Sequence, residues 1–214
     1  VPKILSAIRS VKKWLGQMQQ LHHFDWVISD NRYGLYHSGI PCCILTHQLQ
    51  IKSGQGRWAD RLLRRLHYKI LNRFNACWIV DEAANGGLSG DLAHPSVTPP
   101  RAAYMGILSQ FSDFIFDPKQ VVANRVLVLL SGPEPMRTQL EQLVLEQAAG
   151  LTQYEFIIVA GNPLGAVPAV LPEQVTYYTH LASKELAPLL ASAALVGSRS
   201  GYSTIMDLTV LGKR

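Results

Sequence analysis

The residues best suited to chemistry stand where short apolar runs end. Near the C-terminus, Leu195 to Ser198 runs into Arg199-Ser200-Gly201, and a helical pattern then opens with Ser203, Thr204 and, a turn later, Asp207. Backbone N–H groups at such a helix start are unpaired, and the helix dipole adds roughly half a positive charge there. The corner therefore suits a phosphate or sugar-phosphate, with Asp207 available to a ribose hydroxyl. An ordinary strand-to-helix corner is the other reading of the same residues. A second cluster, Ser131-Gly132-Pro133-Glu134-Pro135, follows the apolar run at 125–130. Two further clusters follow residues 24–29 (FDWVIS) and 40–45 (IPCCIL): Asp30-Asn31-Arg32-Tyr33-Gly34 and Thr46-His47-Gln48. Ligands of open parallel sheets gather at the carboxyl ends of strands, which makes Asp30, Asn31, Arg32 and His47 candidates for one cleft. A neutral imidazole near pH 7 would let His47 act as a base or as a ligand's hydrogen-bond partner, with a structural histidine as the alternative.

These clusters need strands to end where they begin, and the periodicity supplies them. Residues 3–21 read as a helix, with Ile4, Leu5, Ile8, Val11, Leu15 and Met18 on one stripe and Trp14 at its border. Residues 58–74 read as a second, basic helix whose stripe is Leu62, Leu66, Ile70 and Phe74. Residues 77–80 and 104–108 read as strands, separated by a Gly-, Ser- and Pro-rich loop at 83–100. From residue 125 the pattern alternates: strand 125–130, helix 136–149, strand 154–160, strand 175–178, a helix capped by Ser183, then strand 195–198. Such βαβα order predicts parallel, Rossmann-like sheets. The aperiodic stretch 109–124 predicts a linker between an N-terminal domain (1–108) and a C-terminal domain (125–214) facing it across a cleft.

Composition narrows the function classes. The chain has 214 residues, 48% hydrophobic and 16% charged, with no apolar run long enough to span a membrane. Cys42, Cys43 and Cys77 sit in strand-like runs without zinc-ligand spacing, which predicts buried free thiols in a reducing compartment. No metal or cofactor is expected. Residues 1–74 hold 12 Lys and Arg against 3 Asp and Glu, whereas the remainder holds 8 against 12. The basic part should seek an anionic surface: a phosphate-bearing substrate, lipid headgroups or nucleic acid. Nucleic acid is disfavoured, because the basic helices lack aromatic platforms and any nucleic-acid motif. A basic helix with an interfacial Trp could lie on an anionic bilayer, or simply pack its stripe on a sheet. The chain has neither GxGxxG nor GxxxxGK[ST], which argues against dinucleotide oxidoreductases and P-loop NTPases.

Together these segments resemble the two-domain (GT-B) glycosyltransferases of family 28, whose best-known member adds N-acetylglucosamine to a lipid-linked peptidoglycan precursor. Arg199-Ser200-Gly201 through Thr204 to Asp207 is similar to the family's RSG-x-x-T-x-x-E signature, with Asp in place of the ribose-holding Glu. Ser131 to Arg137 stands at the place of the Gly-rich GGSQGAR loop, with Glu134 for Gln, and Thr179-His180-Leu181 falls where the family's backbone meets uracil. Phe24 to Tyr33, the segment from Gly39 to Gln48, and residues 58–74 are similar to the family's acceptor-side segments. The resemblance implies a hexosyltransferase that moves a sugar such as N-acetylglucosamine from a UDP-sugar to an acceptor hydroxyl. Ser131, Gly132, Glu134, Arg137, Thr179, His180, Arg199, Ser200, Gly201, Ser203, Thr204 and Asp207 would hold the donor, and His47, Asp30 and Asn31 would be the catalytic candidates on the acceptor side. It also implies a cytoplasmic protein able to associate peripherally with an anionic membrane surface through residues 3–21 and 58–74, and a lipid-linked acceptor. The family's first Gly-rich loop, with its histidine base, and its Gln-bearing donor loop would lie before Val1 and after Arg214, so both domains are expected to be truncated. A non-catalytic sugar-nucleotide-binding or regulatory protein and a sugar-nucleotide epimerase are the alternatives.

Overall fold

The computed structural model describes residues 2–115 and 117–213, and for residues 2–5 and 118 the backbone alone. Ile4 and Leu5 of the expected N-terminal stripe therefore lie, as side chains, outside the described residues. The chain forms two compact units, 1–108 and 109–214. Each is built on a four-stranded, wholly parallel sheet.

In the first unit, α1 (Pro2–His22) leads to β1 (Val27–Asp30), β2 (Cys42–Thr46), α2 (Arg57–Leu71), β3 (Ala76–Ile79) and β4 (Ala102–Tyr104), with sheet order β1-β2-β3-β4. Cys42, Ile44, Leu71, Phe74 and Ile79 are at most 1% exposed and form one core with Leu15 of α1. Burying side chains of this size contributes roughly 1.5–3 kcal/mol each. The three cysteines are buried free thiols in β2 and β3. Three expectations shift. The first strand opens at Val27, because Gln19 reaches past the end of α1 and binds both the N–H and the carbonyl of Phe24, tying Phe24 to the helix and leaving Trp26 exposed. The fourth strand is Ala102–Tyr104, ahead of the expected 104–108. The stripe of α2 is also partly a different one: Phe74, just past the helix, is buried as expected, but within the helix His67 and Leu71 face the core, while Leu62 and Leu66 are 59% and 53% exposed. Apolar residues occupy two faces of this helix, and 3.6-residue spacing alone does not choose between them.

The second unit comprises β5 (Val122–Leu129), α3 (Met136–Ala149), β6 (Glu155–Val159), β7 (Val175–Tyr178), α4 (Ser183–Ser192), β8 (Ala193–Ser198) and α5 (Tyr202–Val210). Its order is β7-β6-β5-β8. Side chains of β6 alternate across the sheet: Phe156 and Ile158 join the core that includes Ala148 of α3, and Ile157 and Val159 join the one that includes Leu190 of α4. Residues 109–124 belong to this unit; Phe111 is 2% exposed within the second core. Ser183 does not cap α4. Ala182 precedes the helix, its N–H donating to the Glu185 carboxylate, and the Ser183 hydroxyl donates to Gln110 instead.

Candidate functional site

The order β7-β6-β5-β8 places a topological switch between β5 and β8: the chain leaves β5 toward β6 on one side and returns beside β5 on the other. Crevices at the carboxyl ends of such a pair are where open α/β sheets bind ligands. The two loops that resemble donor-binding segments both open here. Leu129 pairs with Ser198 in the last register position, so Ser131 and Gly132 lie just beyond one strand and Arg199, Ser200 and Gly201 just beyond its neighbour. Arg199 Nη1 donates to the Ser131 carbonyl at 3.2 Å. Gly132 adopts φ +102°, and a Cβ there would fall 1.7 Å from that same Nη1, so the guanidinium lies over a position only glycine fills comfortably. Gly201 precedes α5, whose first turn has no side-chain cap; Ser203 is exposed and Thr204 half-buried beside it. The first N–H groups of α5 therefore point out of the helix at the switch.

Two expected donor ligands are engaged inside the unit. Arg137 is buried, donating through Nε to Glu134 at 2.7 Å and through Nη1 to Glu141 at 2.8 Å, with Thr138 and the Ala160 carbonyl as further acceptors. Glu134 orients Arg137, and its carboxyl is held below its usual range by bonds from Thr138 and then Arg137. Two carboxylates against one guanidinium leave no surplus positive charge, so Arg137 does not offer its charge to a diphosphate. Asp207 accepts from Ser109 Oγ at 2.6 Å and from Gln110 Nε2 at 2.9 Å. Thr179, past the end of β7, accepts from the Asn162 N–H at 2.8 Å and lines a cavity of about 410 Å³ with Arg137, Glu141 and Tyr177; the adjacent His180 is exposed. Burial, then the Glu141 carboxylate, pushes the Tyr177 phenol well above its ordinary pKa.

In the first unit the carboxyl ends of β1 and β2 are brought together as expected of neighbours in register. Asn31, at φ +50°, donates its N–H to the Leu45 carbonyl and accepts at Oδ1 from Thr46 Oγ1 at 3.2 Å. Asp30 and Asn31 are exposed and His47 half-buried on this rim. The residue that sequence patterning did not single out is Asp81, fully buried just beyond β3. Its carboxylate accepts from the N–H groups of Glu82, Leu88 and Ser89 and from Ser89 Oγ, and lies 3.1 Å from His94 Nε2. A Cβ on Gly87, at φ +54°, would fall 2.3 Å from both carboxylate oxygens. The loop it organises is tied to the His47 segment, because the Leu92 carbonyl accepts from Leu49 and Gln50 N–H at 2.8 and 2.9 Å. A carboxylate closing an apolar strand ahead of Gly-Gly was the available signal. Among the described residues no group of three metal-ligating side chains occurs, and no helix is long and apolar enough to cross a membrane.

No protein-family model and no curated protein matches the chain by sequence. Solved structures do match by fold. A kitacinnamycin glycotransferase aligns over 95% of this chain and 60% of its own at 15% identity, with a TM-score of 0.60. A calicheamicin glycosyltransferase aligns over 99% and 61% at 16% identity, with a TM-score of 0.59. A glycosyltransferase from Streptomyces nogalater aligns over 96% and 58% at 12% identity, with a TM-score of 0.50. The chain thus has the α/β fold with parallel sheets found in GT-B glycosyltransferase structures, and spans about three fifths of the length of those it matches.

Proposed function

We propose that the chain is part of a UDP-sugar-dependent hexosyltransferase that moves N-acetylglucosamine or a related sugar to an acceptor hydroxyl. The observation that carries this reading is the meeting of Arg199 with Ser131 and Gly132 at the switch between β5 and β8. A diphosphate there would receive the free N–H groups of α5 and the Arg199 guanidinium, stabilising the leaving UDP electrostatically without a metal. Ser131, Ser200, Ser203 and Thr204 would add hydroxyls, and Thr179 with His180 would face the base. Phosphate recognition falls to Arg199 rather than Arg137. Asp207 would reach a ribose hydroxyl by exchanging its bonds to Ser109 and Gln110. On the acceptor side, Asp30, Asn31 and His47 would contact the attacking alcohol, with His47 the group able to take its proton. The acceptor is proposed to be lipid-linked, and the protein to work at the cytoplasmic face of a membrane through its basic first unit.

A non-catalytic sugar-nucleotide binder is favoured by one observation, the engagement of both Arg137 and Asp207 within the fold. Calorimetry with UDP on this chain, followed by UDP release from UDP-N-acetylglucosamine by the full-length protein in the presence of membrane lipid extract, separates the two. Binding weakened by Arg199→Gln together with sugar-dependent UDP release supports the enzyme; binding without release supports the binder. Unaltered UDP affinity in Arg199→Gln sinks the site assignment.

A further inference from the structure

The Asp207 carboxylate is held in the way a pair of vicinal hydroxyls would hold it. Its Oδ1 accepts from Ser109 Oγ at 2.6 Å and its Oδ2 from Gln110 Nε2 at 2.9 Å, so each oxygen takes one donor and the donors come from consecutive residues. Both donors are fixed from behind. Ser109 Oγ also accepts from the Phe111 N–H at 3.1 Å, and Gln110 Oε1 accepts from the hydroxyl of Ser183 at the start of α4. Phe111, 2% exposed, anchors this segment in the second core, and the Ser112 hydroxyl closes a turn onto the Ser109 carbonyl at 2.9 Å. The donors themselves stand toward water, Gln110 exposed and Ser109 half-buried. Their release therefore costs little beyond the bonds to Asp207, because water takes up the freed groups. Among the described residues Asp207 has no ion-pair partner, so no cation competes for it. Ser203 and Thr204 precede Asp207 by four and three residues and share its side of α5. From the first residue of that helix to Asp207 the rise is about 7.5 Å, a span suited to the step from a diphosphate to its ribose.

We propose that Ser109 and Gln110 are a built-in competitor at the donor site: they occupy Asp207 until a ligand carrying two vicinal hydroxyls displaces both. Being consecutive in one turn, the two side chains leave together. A ribonucleotide then restores both bonds to the carboxylate, and a 2′-deoxyribonucleotide restores one. The competitor thereby selects ribonucleoside diphosphates and keeps the affinity for any nucleotide below what a bare Asp207 would give. The inference rests on the donor site proposed above and deepens it by naming what regulates that site and which sugar it admits. If the same bonds served only to hold α5 in place, their loss would lower nucleotide affinity or leave it unchanged.

The test is calorimetry on the full 214-residue chain with UDP and 2′-deoxy-UDP. The parent should bind UDP about tenfold more tightly, the worth of one hydrogen bond to a charged group. Equal affinities overturn the selection of a vicinal diol. Ser109→Ala/Gln110→Ala should bind both nucleotides about tenfold more tightly than the parent, with the ratio between them kept. Unchanged or weaker UDP binding in this variant overturns the competitor and leaves the donor site standing; no UDP binding by either protein removes the donor site itself. Ser183→Ala loosens Gln110 without touching Asp207, and it decides the matter if circular dichroism shows the double variant to be unfolded. It should raise UDP affinity by a smaller factor, and a fall would overturn the competitor. In the parent, saturating UDP should speed hydrogen exchange at the Phe111 N–H as Ser109 Oγ turns away. Exchange there that slows or stays the same overturns the release.

Discussion

Asp81 is a buried carboxylate that accepts from Glu82, Leu88 and Ser89 of the loop it holds and lies beside His94. Asp81→Ala would leave several buried donors unpaired at about 1–3 kcal/mol each, so a loss of at least about 3 kcal/mol is expected in urea unfolding. A loss under about 1 kcal/mol would show that the loop does not depend on it. At the switch in the second unit, Gly132→Ala places a methyl where the Arg199 guanidinium lies and adds a left-handed backbone penalty of roughly 1–2 kcal/mol. The expected result is a lower melting temperature together with UDP affinity reduced about tenfold or more, read by calorimetry. Normal UDP binding would separate the glycine from the ligand. Cys77 makes a third case: burial pushes its thiol up to about 11, so at pH 8 it stays protonated. Iodoacetamide should leave Cys77 unmodified in the folded chain and label it in denaturant, as mass spectrometry would show.

Helix α2 presents different apolar side chains on its buried and exposed faces. Inward, His67 Nε2 meets Tyr33 OH at 3.0 Å, joining α2 to the turn after β1. Burial holds the His67 pKa below its ordinary value, with the ring N–H facing the Leu49 backbone carbonyl opposing this. A lowered folded-state pKa means that the unfolded chain binds the proton first. Its contribution is therefore complete above about pH 6.5 and is lost as pH falls through that value toward the folded pKa. Unfolding free energies from urea titrations between pH 7.5 and 5 should fall for the parent by at most about 1.4 kcal/mol per pH unit from this group, and the slope should flatten in His67→Gln. Equal slopes would remove His67 as the source. Outward, the same helix presents Trp58, Leu62 and Leu66 among arginines, which a core-facing stripe would have hidden.

Each unit has its own sheet and its own core, and the basic character sits in the first. If the donor reading holds, hydrogen exchange with saturating UDP should slow at residues 131–134 and 199–204 and leave 27–47 unchanged. Protection confined to the first unit would reverse the assignment of donor and acceptor halves. Much of this organisation is legible in the sequence. The βαβ alternation, the division near residue 108 and the polar clusters after β1, β2, β5 and β8 follow from periodicity and from turn residues at strand ends. Asp81 escaped notice because its partners are spread over a loop with no periodicity. The stretch 109–124 looks like a linker for the same reason, yet Ser109, Gln110 and Phe111 are fixed by contacts with Asp207, Ser183 and the second core.

By itself the sequence determined the parallel architecture and the polar clusters at the strand ends, because hydrophobic period and turn chemistry are local properties. Tertiary structure alone decided how charges and faces are used. It neutralised Arg137 between two glutamates, set Arg199 over Gly132, and tied Asp207 to Ser109 and Gln110. It also chose which of two apolar stripes on α2 is buried. Each of these depends on partners brought together by strand order and packing, and spacing along the chain does not encode them.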